Sequence, residues 1–160
     1  MNNQNNILYA VTTLLLLVVL NSCNNSTVYN EYKTLPASGW NKDSVAIFNV
    51  IITDTVAHYQ VLANVRNGDE YAYQNFWIFI SAISPEGKIT TDTIECYLTN
   101  QQGKWVGSGM GSLHEVQVLL QKDIQFKIKG NYRFAIKQGM RDDALKGISD
   151  IGLEIQKVEK

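Results

Sequence analysis

From residue 45 onward, apolar and polar side chains alternate with a period of two, and almost nothing repeats with the period of a helix. "VAIFNVII" (Val45 to Ile52) and "HYQVLANVR" (His58 to Arg66) read as strands, the second with Tyr59, Val61, Ala63 and Val65 on one face. Asn67-Gly68 follows as a pair suited to a tight turn. "NFWIFISAI" (Asn75 to Ile83) is apolar on both faces, the pattern of a central strand covered on each side, with Trp77 in the core. Pro85-Glu86-Gly87 turns the chain into "KITTDTIECYL", and "EVQVLL", "IQFKI", "YRFAI" and "IGLEIQ" continue the alternation. Ile124, Phe126 and Ile128 point inward, as do Tyr132, Phe134 and Ile136.

The single helical signal is "RDDALKG", enough for one turn with Asp142 as N-cap and Gly147 as the stop. Eight or so short strands separated by turn residues predict an all-β fold, an antiparallel β-sandwich of immunoglobulin-like, Greek-key type. "GNYRF" (Gly130 to Phe134) has the spacing of a tyrosine corner in such sandwiches, or of a plain hairpin with a core tyrosine.

The start of the chain obeys a different logic. An apolar run from Ile7 to Leu20 is short of the ~20 residues that cross a bilayer and fits a signal peptide. Leu20-Asn21-Ser22-Cys23 follows. Lipoprotein processing needs an apolar residue three before the cysteine and a small one just before it, and Leu20 and Ser22 supply them. Cys23 is then the lipidation site and the mature N-terminus, held in the membrane by acyl chains that contribute about 0.8 kcal/mol per buried CH₂. The alternative is an uncleaved N-terminal anchor, since no Lys or Arg precedes Cys23.

This divides the chain into a signal at 1–22, a lipidated tether at 23–35 and a sandwich domain at 36–160. Asn24 in place of Asp after the cysteine points to the outer membrane, and the lack of an acidic run behind it points to the periplasmic face.

A net charge of −1 and the absence of a basic block argue against nucleic acid as partner. With Cys23 consumed by lipid, Cys96 has no internal partner, and its alternation with Ile94 and Leu98 makes it a buried strand residue. His58 and His114 stand on separate segments without metal-ligand spacing, so neither a metal nor any cofactor beyond the covalent lipid is expected. Asp92 and Glu95 fall on opposite faces of their strand, and Ser108 and Ser112 lack a nucleophile frame. No catalytic signature and no small-molecule substrate emerge.

Two segments look specialised. "GKWVGSGMGS" carries Trp105, Gly107 and Gly109, either as a loop that exposes an aromatic or as a twisted strand whose glycines avoid a clash. "KQGMRDDAL" places Met140 and Arg141 at a strand exit, where Arg141 docks an acidic partner or pins its own loop through an ion pair. Trp105, Gly107, Gly109, Met140 and Arg141 are the candidate partner contacts.

"VYNEYKTLPASGW", "VRNGDEYAYQNFWIFI", "DTIECYL", "GKWVGSGMGSL", "GNYRFAIKQGMR" and "GISDIGLEI" together resemble the GldH family of gliding-motility lipoproteins from Bacteroidota, across the whole mature chain. The resemblance implies an outer-membrane lipoprotein of the gliding apparatus, linked to type IX secretion, with protein partners and no enzymatic activity. Members also occur in species that do not glide. Only Cys23, as the lipid site, carries over as a residue. The competing expectations are a glycan-binding lipoprotein using Trp40 or Trp105, and a hydrolase with an unconventional site.

Overall fold

The computed structural model describes residues 26–158. The signal segment and Cys23 lie outside the described residues. The strands are β1 (Thr27–Thr34), β2 (Trp40–Asn41), β3 (Ala46–Ile52), β4 (His58–Gly68), β5 (Asn75–Ile83), β6 (Ile89–Tyr97), β7 (Ser108–Met110), β8 (Leu113–Ile124), β9 (Gly130–Gln138), β10 (Ala144–Leu145) and β11 (Ile148–Val158). The described residues contain no helix. Thr27–Thr34, assigned from sequence to the tether, is an edge strand paired with β11.

Eight of these strands are long, and they pair as one hairpin of the whole chain: β1 with β11, β3 with β9, β4 with β8, β5 with β6. Two further pairings, β11 with β4 and β9 with β5, roll that hairpin into two sheets ordered β1-β11-β4-β8-β7 and β3-β9-β5-β6. All pairings are antiparallel. This is the sandwich the alternation predicts, and its order is that of a jelly roll and not of an immunoglobulin domain.

One face of each sheet meets the other. Phe48, Val50 and Ile52 of β3, Phe76 and Ile78 of β5, and Phe134 and Ile136 of β9 pack against Val61, Ala63 and Val65 of β4 and Ile151, Leu153 and Ile155 of β11. Each large aliphatic or aromatic side chain buried this way contributes about 1.5–3 kcal/mol.

Several local readings change. Asn67 and Gly68 are buried strand residues paired with β8 and, for Asn67, β11, so they make no turn. "RDDALKG" forms no helical turn. Ala144 and Leu145 pair with Asn41 and Trp40, because burying Leu145 against Trp40 outweighs a lone helical turn. Gly147 does take the left-handed conformation, at φ 83°, but inside a β connection.

"IQFKI" is mostly the link between β8 and β9. Its Phe126 plugs the end of the core between Tyr59 and Tyr132, with centroids 5.3 and 4.7 Å away. Tyr132 is thus a core tyrosine. The tyrosine that ties down a chain crossing is Tyr59, whose hydroxyl donates to the Asp54 carbonyl five residues upstream at 2.8 Å.

The registers place the start of β1, the end of β11, the β3–β4 loop (53–57), the β5–β6 turn (84–88) and the β8–β9 link (125–129) at one end of the roll. Asp54 organises that end. It accepts from Lys157 Nζ at 2.8 Å and from the backbone N–H groups of Val56 and Ala57 at 3.0 and 3.1 Å. The Lys157 ammonium first, then those amides, hold its carboxyl down to about 2.

The outer face of the five-stranded sheet is knitted by polar side chains. Buried Glu154 accepts from Asn64 at 3.2 Å and Gln117 at 3.0 Å, and Arg66 binds Glu115 at 2.6 Å while lying 3.9 Å over the Tyr32 ring.

A Cβ at Gly147 would sit 2.6 Å from Tyr71 Cα in addition to the left-handed strain. Gly147→Ala is expected to cost about 2–4 kcal/mol in chemical denaturation. Asp54 predicts a pH effect. The unfolded carboxyl protonates near its model value of 3.8 and the folded one near 2, so its contribution is complete above about pH 4 and lost as pH falls towards 2. Asn at 54 does not titrate, so the stability gap between wild type and Asp54→Asn should narrow over that interval in denaturation midpoints and stay constant above it.

Candidate functional site

Among the described residues nothing covers the outer face of the four-stranded sheet, and β5 is one of its two inner strands. Alternation buries Phe76, Ile78 and Ile80 and turns Trp77 and Phe79 outward, 36% and 49% exposed. The expectation that β5 is covered on both sides, with Trp77 in the core, is therefore corrected. An aromatic outer row imitates the composition of a doubly buried strand.

Where β9 ends, Gln138 is buried and clamps the following loop from both sides of its amide. Nε2 donates to the Asp142 carbonyl and Oε1 accepts from Met140 N–H, each at 2.7 Å. Gly139 N–H donates to the Trp77 carbonyl at 2.7 Å, and a Cβ there would lie 3.2 Å from both Trp77 and Phe79. Glycine thus lets the loop pass against the two outer aromatics. Met140 Sδ then accepts from Trp77 N–H at 3.4 Å, and Tyr73 hydroxyl donates to Asp142 at 2.8 Å. The Asp142 carboxylate raises the Tyr73 hydroxyl above its usual range.

The result is a depression of about 430 Å³ lined by Tyr73, Trp77, Phe79, Thr93, Met140 and Arg141. Arg141 is exposed and forms no ion pair among the described residues, so the amide clamp, and not this arginine, pins the loop. An apolar floor with a cation at its rim suits a protein surface with an apolar anchor and an acidic neighbour.

The structure does not bring Trp105, Gly107 or Gly109 into this depression. Trp105 is half-buried and stacks on His114 at 5.5 Å, and His114 Nε2 pairs with Asp69 at 2.8 Å. A Cβ on Gly107 or Gly109 would meet backbone atoms of β8 at 2.5 or 1.9 Å. These glycines serve the close approach of β7 to β8. Trp40 is 1% exposed and packs 6.1 Å from Phe76, so no platform forms from Trp40 and Trp105.

Burial pushes the Cys96 thiol up to about 12, with the Glu95 charge adding to the effect. No cluster of three or more His, Cys, Asp or Glu suited to a metal occurs among the described residues. Trp77 and Phe79 are the site residues that the sequence concealed, and their only signal was proximity to the Met140-Arg141 motif across a non-local strand pairing.

The GldH lipoprotein family model matches residues 27–155. The chain is 31% identical over 148 residues to the "Gliding motility lipoprotein GldH homolog" of Christiangramia forsetii, covering 88% of this chain and 90% of that protein. It is 32% identical over 150 residues to the "Gliding motility lipoprotein GldH" of Flavobacterium johnsoniae, covering 89% and 92%. Among solved structures, dimeric latent PorU from Porphyromonas gingivalis aligns with TM-score 0.34 and 11% identity over 81% of this chain and 13% of that one, too weak to bear an argument.

Cys96 gives a direct check. In the lipidated protein no thiol should react with iodoacetamide at about pH 8 under native conditions, and one per chain should react in denaturant, counted by intact mass. Rapid native alkylation would place Cys96 at the surface.

Proposed function

This chain belongs to the GldH lipoprotein family, and we propose that it is an outer-membrane, periplasm-facing lipoprotein held by Cys23 that assembles or stabilises the gliding-motility machinery by protein contact, without catalysis. The names of its relatives support the gliding assignment. The link to type IX secretion follows from the family resemblance. The observation that carries the contact role is the exposed Trp77–Phe79 pair beside Met140 and Arg141, on a loop held rigid by Gln138. Rigid aromatics next to an arginine are the side chains that dominate protein interfaces. The depression lies towards the end of the roll opposite the start of β1, away from the anchor and open to a partner.

Affinity capture from detergent-solubilised outer membranes tests this. Wild type should recover gliding or secretion components, and Trp77→Ala should weaken the capture by about thirtyfold, the effect of losing an interface hot spot. Because the Gly139 loop packs against Trp77, the variant should melt a few degrees lower, and capture is compared at a temperature where both proteins are folded. Equal recovery by both proteins would remove the depression from the interface, and consistent absence of such components would sink the reading. Capture on glycan beads in place of protein would favour the sugar-binding alternative.

A further inference from the structure

The two sheets do not close along every side. β7 pairs only with Leu113–Glu115 of β8, so among the described residues the rest of β8 is an open edge facing the edge strand β6. Between them lies a cleft of about 590 Å³. Its interior is hydrocarbon and aromatic, with Val61, Ile80, Ile94, Leu120, Phe126 and Phe134 on its walls. Polar groups gather at the rim, where Lys88 and Lys127 stand with Glu86 and Asp92. Lys129 lies in the same β8–β9 link as Lys127. Among the described residues, none of these three lysines forms an ion pair.

The cleft's place in the roll gives its apolar walls a meaning. Its rim residues belong to the 84–88 turn and the 125–129 link, at the end where β1 begins. Lys157 N–H donates to the Ser26 carbonyl at 2.7 Å and fixes the chain start there. From Ser26 to Cys23 is three residues, which span at most about 11 Å when extended. A lipid on Cys23 therefore draws this end of the domain onto the bilayer. Val56, 81% exposed, is on the same end.

We propose that the cleft takes the acyl chain of a membrane phospholipid, with its phosphate at Lys88 and Lys127. The inference rests on the anchored reading above. A hydrocarbon chain suits the interior because it brings no polar atoms, whereas a peptide strand could pair on one side only, with the open edge of β8, and would bury the N–H and C=O groups of its other side against the apolar walls. The volume is in the range of small-ligand sites, and the lysines supply the charge that a phosphate at the rim requires.

The full-length lipidated protein, reconstituted in phosphatidylethanolamine and phosphatidylglycerol vesicles, is irradiated with a trace of phospholipid bearing a diazirine in its acyl chain. Adducts should concentrate in peptides holding Leu120, Phe126 and Phe134. Ala82 also lines the cleft, so Ala82→Trp should fill it and lower them severalfold at a temperature where the variant remains folded, and Lys88→Glu with Lys127→Glu, at exposed positions, should lower them about tenfold. Adducts spread evenly over the outer sheet faces would overturn the proposal, as would a peptide found paired to the free edge of β8.

A second arm incorporates a diazirine fatty acid metabolically at Cys23. A cross-link joining the Cys23 peptide to the cleft would make the protein's own lipid the occupant and overturn the phospholipid assignment. Recovery of the protein in the soluble fraction would undo the anchoring itself. Partner capture reads a different surface and stands or falls separately.

Discussion

The ladder between β4 and β11 is the pairing on which the rest of this structure depends. It runs from His58 and Val158 to Asn67 and Ile148, and it joins segments about ninety residues apart. Its inward side chains, Val61, Ala63 and Val65 against Ile151, Leu153 and Ile155, are among the most deeply buried in the protein. β1 joins the sheet through β11 and β8 joins it through β4, so this ladder is what holds the two halves of the larger sheet together. The loop-closure entropy it must overcome places the domain among slow folders of high contact order.

A roll built this way has two unlike ends and one unlike face. The end carrying β1's start holds Phe126 between Tyr59 and Tyr132 beside the cleft, and its loops are tied together by Asp54, Lys157 and the Gln125 amide, which donates to the Val56 carbonyl. The β9 exit is organised by Gln138, and its aromatics sit on the uncovered face of the smaller sheet. The larger sheet spends its outer face on internal bonds around Glu154 and Arg66, leaving few polar groups there unpartnered. Both surfaces proposed for contact with other molecules lie off the outer face of the larger sheet.

The strands of β9 and β4 are legible because each turns an apolar side chain to the core at every second residue, Tyr132, Phe134 and Ile136 in one and Tyr59, Val61, Ala63 and Val65 in the other. β5 was misread for the opposite reason. Period two says which residues share a face, and it does not say whether solvent or protein lies beyond it, so it cannot tell that Trp77 and its face-mate Phe79 stand outside the core. Phe126 misled in the same way, since a loop that plugs a core alternates like a strand. Met140 and Arg141 could be picked out from their motif. Their aromatic neighbours could not, because β5 and β9 are brought together only by the rolled topology. The cleft between β6 and β8 left no local trace at all, as it is a property of which edges remain open.

The antiparallel pairing of β1 with β11 also sets how the domain bears force. With Cys23 proposed as the attachment, load would enter the domain through Ser26, at the start of β1. A pull between that attachment and the opposite end of the roll runs along the strands, while the ladder's hydrogen bonds lie across them. β1 must then slide past β11 with its whole register loaded at once, from Thr34 and Asp150 to Thr27 and Gln156, because peeling one bond at a time requires a sideways load. Under the proposed attachment, the first strand of the fold would act as a shear joint between the anchor and the body of the protein.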